Sequence, residues 1–88
     1  MKIELFTSER CANCRKVKKI LNKLLPEFGL IYEDSVTERD VNKTDALADL
    51  TMLDTEMIPT LRIRDKTLIG EQTVDENNLR IFLKSNLF

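Results

Sequence analysis

The sequence predicts a small α/β domain with the element order βαβαββα, a four-stranded mixed sheet flanked by three helices. Three observations predict it. Two short strand-like runs are joined by an amphipathic, helix-like run; two later runs close into a hairpin; and a Thr-x-x-Glu box stands ahead of a final apolar run with helical spacing. Between the first strand and the first helix lie the only two cysteines of the chain, in Cys11-Ala12-Asn13-Cys14.

In order, Ile3-Glu4-Leu5-Phe6 reads as a short buried strand that stops at Thr7-Ser8, whose hydroxyls are available to a helix start. From Cys14 onward Val17, Ile20, Leu21, Leu24 and Leu25 recur at three-four spacing, with Arg15, Lys16, Lys18, Lys19 and Lys23 at the other positions. Pro26 and Gly29 mark the end of that helix. Leu30-Ile31-Tyr32-Glu33 reads as the second strand, and its helical connection to the first favours a parallel pair. Asp34 to Val41 reads as polar and irregular. A weaker helix around Thr44 to Leu53 follows, with Ala46, Leu47, Leu50 and Leu53 as its apolar stripe and Asp40 or Asn42 as its cap. After Pro59, Thr60-Leu61-Arg62-Ile63-Arg64 alternates, and Thr67-Leu68-Ile69 follows a tight Asp65-Lys66 connection, which makes a hairpin. Thr73 to Glu76 is a capping box for a last helix carrying Leu79, Phe82 and Leu83.

With 88 residues the chain, 1–88, is expected to be one domain. Its 42% hydrophobic and 33% charged residues are those of an ordinary globular protein. No run of consecutive apolar residues exceeds three, against about 18 for a bilayer span and about 7 to 15 for a signal peptide, so a soluble cytoplasmic protein without a membrane segment is expected. A net charge of −1 argues against non-specific nucleic-acid binding. The charge is uneven: residues 1–25 hold seven Lys or Arg against two Glu, and residues 26–60 hold two against nine acids. Such runs are first of all solvated helix faces, but cations around Cys11 also favour its thiolate and steer an acidic partner.

Two thiols cannot make a disulfide framework, and without histidine they fall short of the four ligands of a closed zinc site. At a helix N-terminus, Cys-x-x-Cys closes a short disulfide across the first turn, while the orphan N–H groups and the helix dipole stabilise a thiolate on its first sulfur. Cys11 is therefore the expected nucleophile. Arg10, Arg15 and Lys16 add to this bias and Glu9 opposes it. Cys14, one turn deeper beside Val17, is expected to be shielded and to resolve the mixed disulfide from within. The rival reading is a metal-binding module, in which Cys11 and Cys14 of two chains supply four thiolates to zinc or an iron-sulfur cluster.

The element order, the CxxC after the first strand and Ile58-Pro59-Thr60 before the hairpin together resemble the thioredoxin superfamily, in its short glutaredoxin-like form, over essentially the whole chain. The resemblance implies a cis Pro59 set against the Cys11/Cys14 disulfide, with the Ile58 backbone exposed to pair with an extended substrate segment. Ile58, Pro59 and Thr60, with Arg10 beside Cys11, are the implied substrate-binding residues. By position alone Pro59 is equally an ordinary strand-start proline. There are departures. Thioredoxins place Trp before the first cysteine and Gly-Pro between the two, and glutaredoxins place Pro-Tyr there; this chain has Arg10 and Ala12-Asn13. Leu5 stands where thioredoxins bury an acid. The Gly-Gly-x-x-Asp with which glutaredoxins hold glutathione is replaced by Gly70-Glu71-Gln72-Thr73-Val74-Asp75, which argues against tight glutathione binding.

The expected protein is thus a monomeric dithiol-disulfide oxidoreductase needing no cofactor of its own. The resemblance implies a ribonucleotide reductase or similar redox enzyme as client, and a thioredoxin-reductase-type enzyme as electron donor.

Overall fold

A computed structural model describes residues 3–53 and 55–87. Strand β1 (Ile3–Thr7) leads into helix α1 (Ala12–Leu24) and a 3-10 turn over Leu25–Phe28. A one-turn helix α2 (Tyr32–Ser35), strand β2 (Val36–Asp40) and helix α3 (Thr44–Met52) come next. Strands β3 (Thr60–Ile63) and β4 (Lys66–Ile69), a 3-10 turn over Gly70–Val74 and helix α4 (Glu76–Leu87) complete the order. The sheet runs β2-β1-β3-β4, with β1 parallel to β2 and antiparallel to β3, and β3 antiparallel to β4.

Alternation along β1 assigns the two faces of the sheet. Ile3 and Leu5 point to one side, where Leu61, Ile63 and Val36 meet Val17, Leu21 and Leu24 of α1 and Leu79, Leu83 and Leu87 of α4. The α4 residues recur every fourth position, so one stripe is buried, and each such leucine contributes about 1.5–3 kcal/mol by leaving water. Glu4 and Phe6 point to the other side. There Arg39 lies 5.5 Å from the Phe6 ring centroid and donates to Glu4 Oε2 and Asp49 Oδ2, both at 2.7 Å, tying the sheet to α3.

Five expectations are corrected. The second strand is Val36–Asp40, not Leu30–Glu33. Gly29, at φ 74°, turns the chain after the 3-10 segment; Ile31 is 60% exposed, and Tyr32 opens α2, so the apolar run is a connection. The true strand is an edge strand with Thr37 and Glu38 exposed, and its charges blunt the open edge. Helix starts also differ. Cys11, not Thr7 or Ser8, caps α1, and Lys43 stands at the α3 cap, while Asp40 Oδ1 accepts the Asn42 N–H in a local turn. For α4 the cap is Asp75, whose Oδ1 accepts N–H groups from Asn77 and Asn78 at 3.0 and 3.1 Å, and Thr73 is buried. Finally the hairpin turns on Arg64-Asp65, with Ile63 opposite Lys66 and Arg64 at φ 58°.

Candidate active site

Parallel pairing of β1 with β2 and antiparallel pairing with β3 bring the C-terminal end of β1 and the N-terminal end of β3 to one end of the sheet. Phe6 is opposite Thr60, so the segment Ser8–Cys11 leaves the sheet at the end where Pro59 enters it.

The Cys11 and Cys14 sulfurs are joined in a disulfide, with their Cα atoms 5.1 Å apart. Cys11 is extended at the N-cap (φ −102°, ψ 109°), and its Sγ accepts the Cys14 N–H at 3.0 Å. Its sulfur therefore occupies the place of a capping oxygen, facing the positive end of a 13-residue helix whose first turn holds no acidic residue. Cys11 is partly exposed and Cys14 only 1% exposed, against the core. Around the pair, Arg10 and Lys16 are exposed, and Arg15 Nη1 folds back to donate to Glu9 O at 3.4 Å. Leu5 is fully buried. Its cross-strand neighbour Glu38 accepts from Tyr32 Oη at 2.9 Å and lies 3.0 Å from Lys18 Nζ. Burial, then the hydrogen bond from Tyr32 and the charges of Glu38 and Glu33, push the Tyr32 hydroxyl well above its ordinary range. Thr7, Ser8, Glu9, Lys18, Glu38 and Asp40 line a polar cleft of about 200 Å³ on this side.

The Ile58–Pro59 peptide bond is cis. Pro59 is buried and its carbonyl accepts the Gly70 N–H at 2.8 Å. Thr60 is fully buried, and its hydroxyl donates to Met57 O at 2.7 Å, so it holds the loop from inside and presents no side chain outward. Met57 N–H donates to Thr55 Oγ1 at 3.0 Å. Both backbone groups of Met57 are thus satisfied. Those of Ile58 have no backbone partner among the described residues. The residue not anticipated from sequence is Met57, 56% exposed, whose side chain lies on Gly70; an isolated methionine in a polar loop carries no periodicity to flag it. Among the described residues no group of three or more His, Cys, Asp or Glu is placed to hold a metal, and no helix is long and apolar enough to cross a membrane.

This four-stranded mixed sheet flanked by helices, with the Cys11–Cys14 pair at CxxC spacing on the first long helix, is the thioredoxin fold. Among solved structures the chain is similar to the thioredoxin-like protein BC3987, crystallised as a point variant, at 23% identity and TM-score 0.67 over 98% of this chain and 99% of that one. It is also similar to oxidised thioredoxin O2 from Arabidopsis thaliana, at 17% identity and TM-score 0.71 over 96% and 72% of the two chains. Thioredoxin 1 from Thermosipho africanus matches at 18% identity and TM-score 0.60 over the full length of both. No protein-family profile matches the sequence, and no curated protein matches it.

Proposed function

We propose that the protein is a thiol-disulfide oxidoreductase that reduces disulfides in partner proteins through Cys11 and Cys14. The observation that carries the reading is the asymmetry of the pair: Cys11 Sγ is partly exposed and takes a helix N–H, while Cys14 is buried directly behind it. In the reduced protein the Cys11 thiolate attacks one sulfur of the client disulfide; a mixed disulfide forms, and the other client sulfur leaves as a thiolate and takes a proton. Cys14 then loses its proton and attacks Cys11 Sγ. The Cys11–Cys14 disulfide closes and the second client thiol is released, two electrons having passed to the client. A donor of the thioredoxin-reductase type restores the dithiol, and a cytoplasmic setting supplies the reducing poise that this direction needs. A ribonucleotide reductase or similar redox enzyme is the proposed client. The open N–H and C=O of Ile58 suit an extended client segment laid alongside them, and exposed Arg10 offers it a charge contact.

Glutathione is a poor fit. Exposed Glu71 repels an anionic peptide, the Thr73 hydroxyl is buried and donates to Gly70 O at 2.6 Å, and the Asp75 carboxylate is taken up by its own helix. The test is thiol counting on anaerobically reduced protein mixed with a disulfide-bonded protein such as insulin. Loss of two protein thiols for each client disulfide opened is expected. Unchanged thiols, or stoichiometric metal bound to the reduced protein, would replace this reading with the shared metal site.

A further inference from the structure

The sheet has two outer strands, β2 and β4, and they are finished differently. Along β2, Glu38 and Arg39 are charged and engaged, with Lys18 of α1, Glu4 of β1 and Asp49 of α3, which blunts that edge against pairing. After Lys66, β4 reads Thr67-Leu68-Ile69, without a charge. The hairpin closes on the Ile63 and Lys66 pair, so Lys66 and Leu68 bond to β3, while Thr67 and Ile69 turn their N–H and C=O groups away from it. Gln72 Oε1 accepts the outward Ile69 N–H at 3.5 Å, and no turn or loop bond reaches the backbone of Thr67 among the described residues.

Beside this edge, β4 and α4 form a surface hollow of about 330 Å³, lined by Leu68, Ile81, Phe82 and otherwise only by Asn, Gln and Ser side chains. None of its lining residues is charged, in a chain with 33% charged residues, and Ile81 is 64% exposed. Charge returns at the two ends of the strand. Arg64 and Lys66 flank Asp65 at the hairpin end and Glu71 stands beyond the other; all four are exposed, and none is in an ion pair among the described residues.

We infer that β4 is the docking surface for a second copy of this chain, which continues the sheet by antiparallel pairing about a two-fold axis at Thr67. Residues directly opposite in a hydrogen-bonded antiparallel pair exchange both backbone bonds, so Thr67 set against Thr67 of the second copy satisfies both outward groups at once. A two-fold axis sets a surface against its own image, where like charges repel; the uncharged run and the uncharged hollow avoid that. Antiparallel order also carries the basic hairpin end of one copy to the Glu71 end of the other, so the end charges attract and fix the register. Both α4 helices then lie on the same face of the joined sheet, where the two hollows adjoin and the Ile81 side chains leave water. With four residues of strand on each side the contact is short, and the dimer forms and parts with concentration. Such a dimer stands apart from the cysteine chemistry and departs from the monomer expected from the sequence.

Sedimentation equilibrium on the oxidised full chain, from about 10 μM to about 1 mM, reads the assembly directly. The average mass is expected to climb from the 10.2 kDa of one chain toward twice that value. Thr67→Pro removes the outward donor at a place where an edge strand tolerates proline, and Ile81→Lys sets like charges across the axis from an exposed position. Each should weaken association roughly tenfold, and Glu71→Lys, which leaves both strand ends basic, by a smaller factor. Circular dichroism and the urea midpoint verify that each variant is folded. A single chain mass at every concentration overturns the inference, as does undiminished association in any of the folded variants.

Discussion

Cys11 and Cys14 share a motif but not an environment, and on this difference the proposed chemistry turns. The thiolate that the α1 N-terminus favours is on the partly exposed sulfur, so iodoacetamide should label Cys11 of the reduced protein well before Cys14 at pH 7, as read by peptide mapping. Preferential labelling of Cys14 would exchange their roles. Cys14→Ser should accumulate a mixed disulfide with a client through Cys11, and Cys11→Ser should accumulate little; full turnover by both variants would end the two-cysteine mechanism. A second residue-scale effect lies far from the site. Arg64 holds φ 58°, a left-handed conformation costing a non-glycine residue about 1–2 kcal/mol, part of which glycine gives back in unfolded-chain entropy. Arg64→Gly should therefore raise stability by about 0.5–1 kcal/mol in a urea titration, since Arg62 Nε bonds to the Arg64 carbonyl whatever its side chain. A lower midpoint would show that the arginine side chain matters more than its backbone.

At the scale of elements, helix α4 depends on Asp75 for its first turn, and Asp75→Ala should cost about 1 kcal/mol, whereas Thr73 would show its effect through burial instead. Edge strand β2 depends on charge. Burial alone would raise the Glu38 carboxyl, but the Lys18 and Tyr32 hydrogen bonds and the Lys18 charge outweigh it and hold Glu38 below its usual range. A carboxylate depressed in this way stabilises the fold above its unfolded value, about 4.3, and loses that contribution as pH falls through the lower folded value. Both partners are substantially solvated, so the effect is a few tenths of a kcal/mol. Urea midpoints between pH 6 and 3 should fall less in Glu38→Gln than in the unmodified protein; parallel curves would remove Glu38 from the acid response. The same strand explains what the sequence hid. Helices α1 and α4, the hairpin strands and the cysteine motif were legible because each carries its own period or punctuation. Val36–Asp40 carries a single buried apolar residue and is held by cross-strand and helix ion pairs, a tertiary arrangement with no local pattern, while Leu30-Ile31-Tyr32 offered a false one. At the site, Cys11 and Cys14 declared themselves by spacing, and Met57 could not, because its partner Gly70 is distant in sequence.

Across the whole molecule, the strand order β2-β1-β3-β4 places the two segments that carry the site on the inner strands. Polar, shallow structure is consigned to the rims: β2 with its ion pairs, α3 with only Ala46 and Leu50 buried, and β4 without a fully buried side chain. Regions with few buried apolar contacts open by local fluctuation, while the rest opens only by global unfolding. Amide hydrogen exchange should accordingly be slowest at Leu5, Phe6, Leu61 and in the α1 interior, and faster by orders of magnitude through α3 and β2. Equal protection of β2 and β1 would contradict this layering. On the proposed redox reading, a disulfide mounted on such a frame keeps its place while the periphery melts and reforms around it, so loss of edge structure during heating should precede loss of any disulfide-reducing turnover.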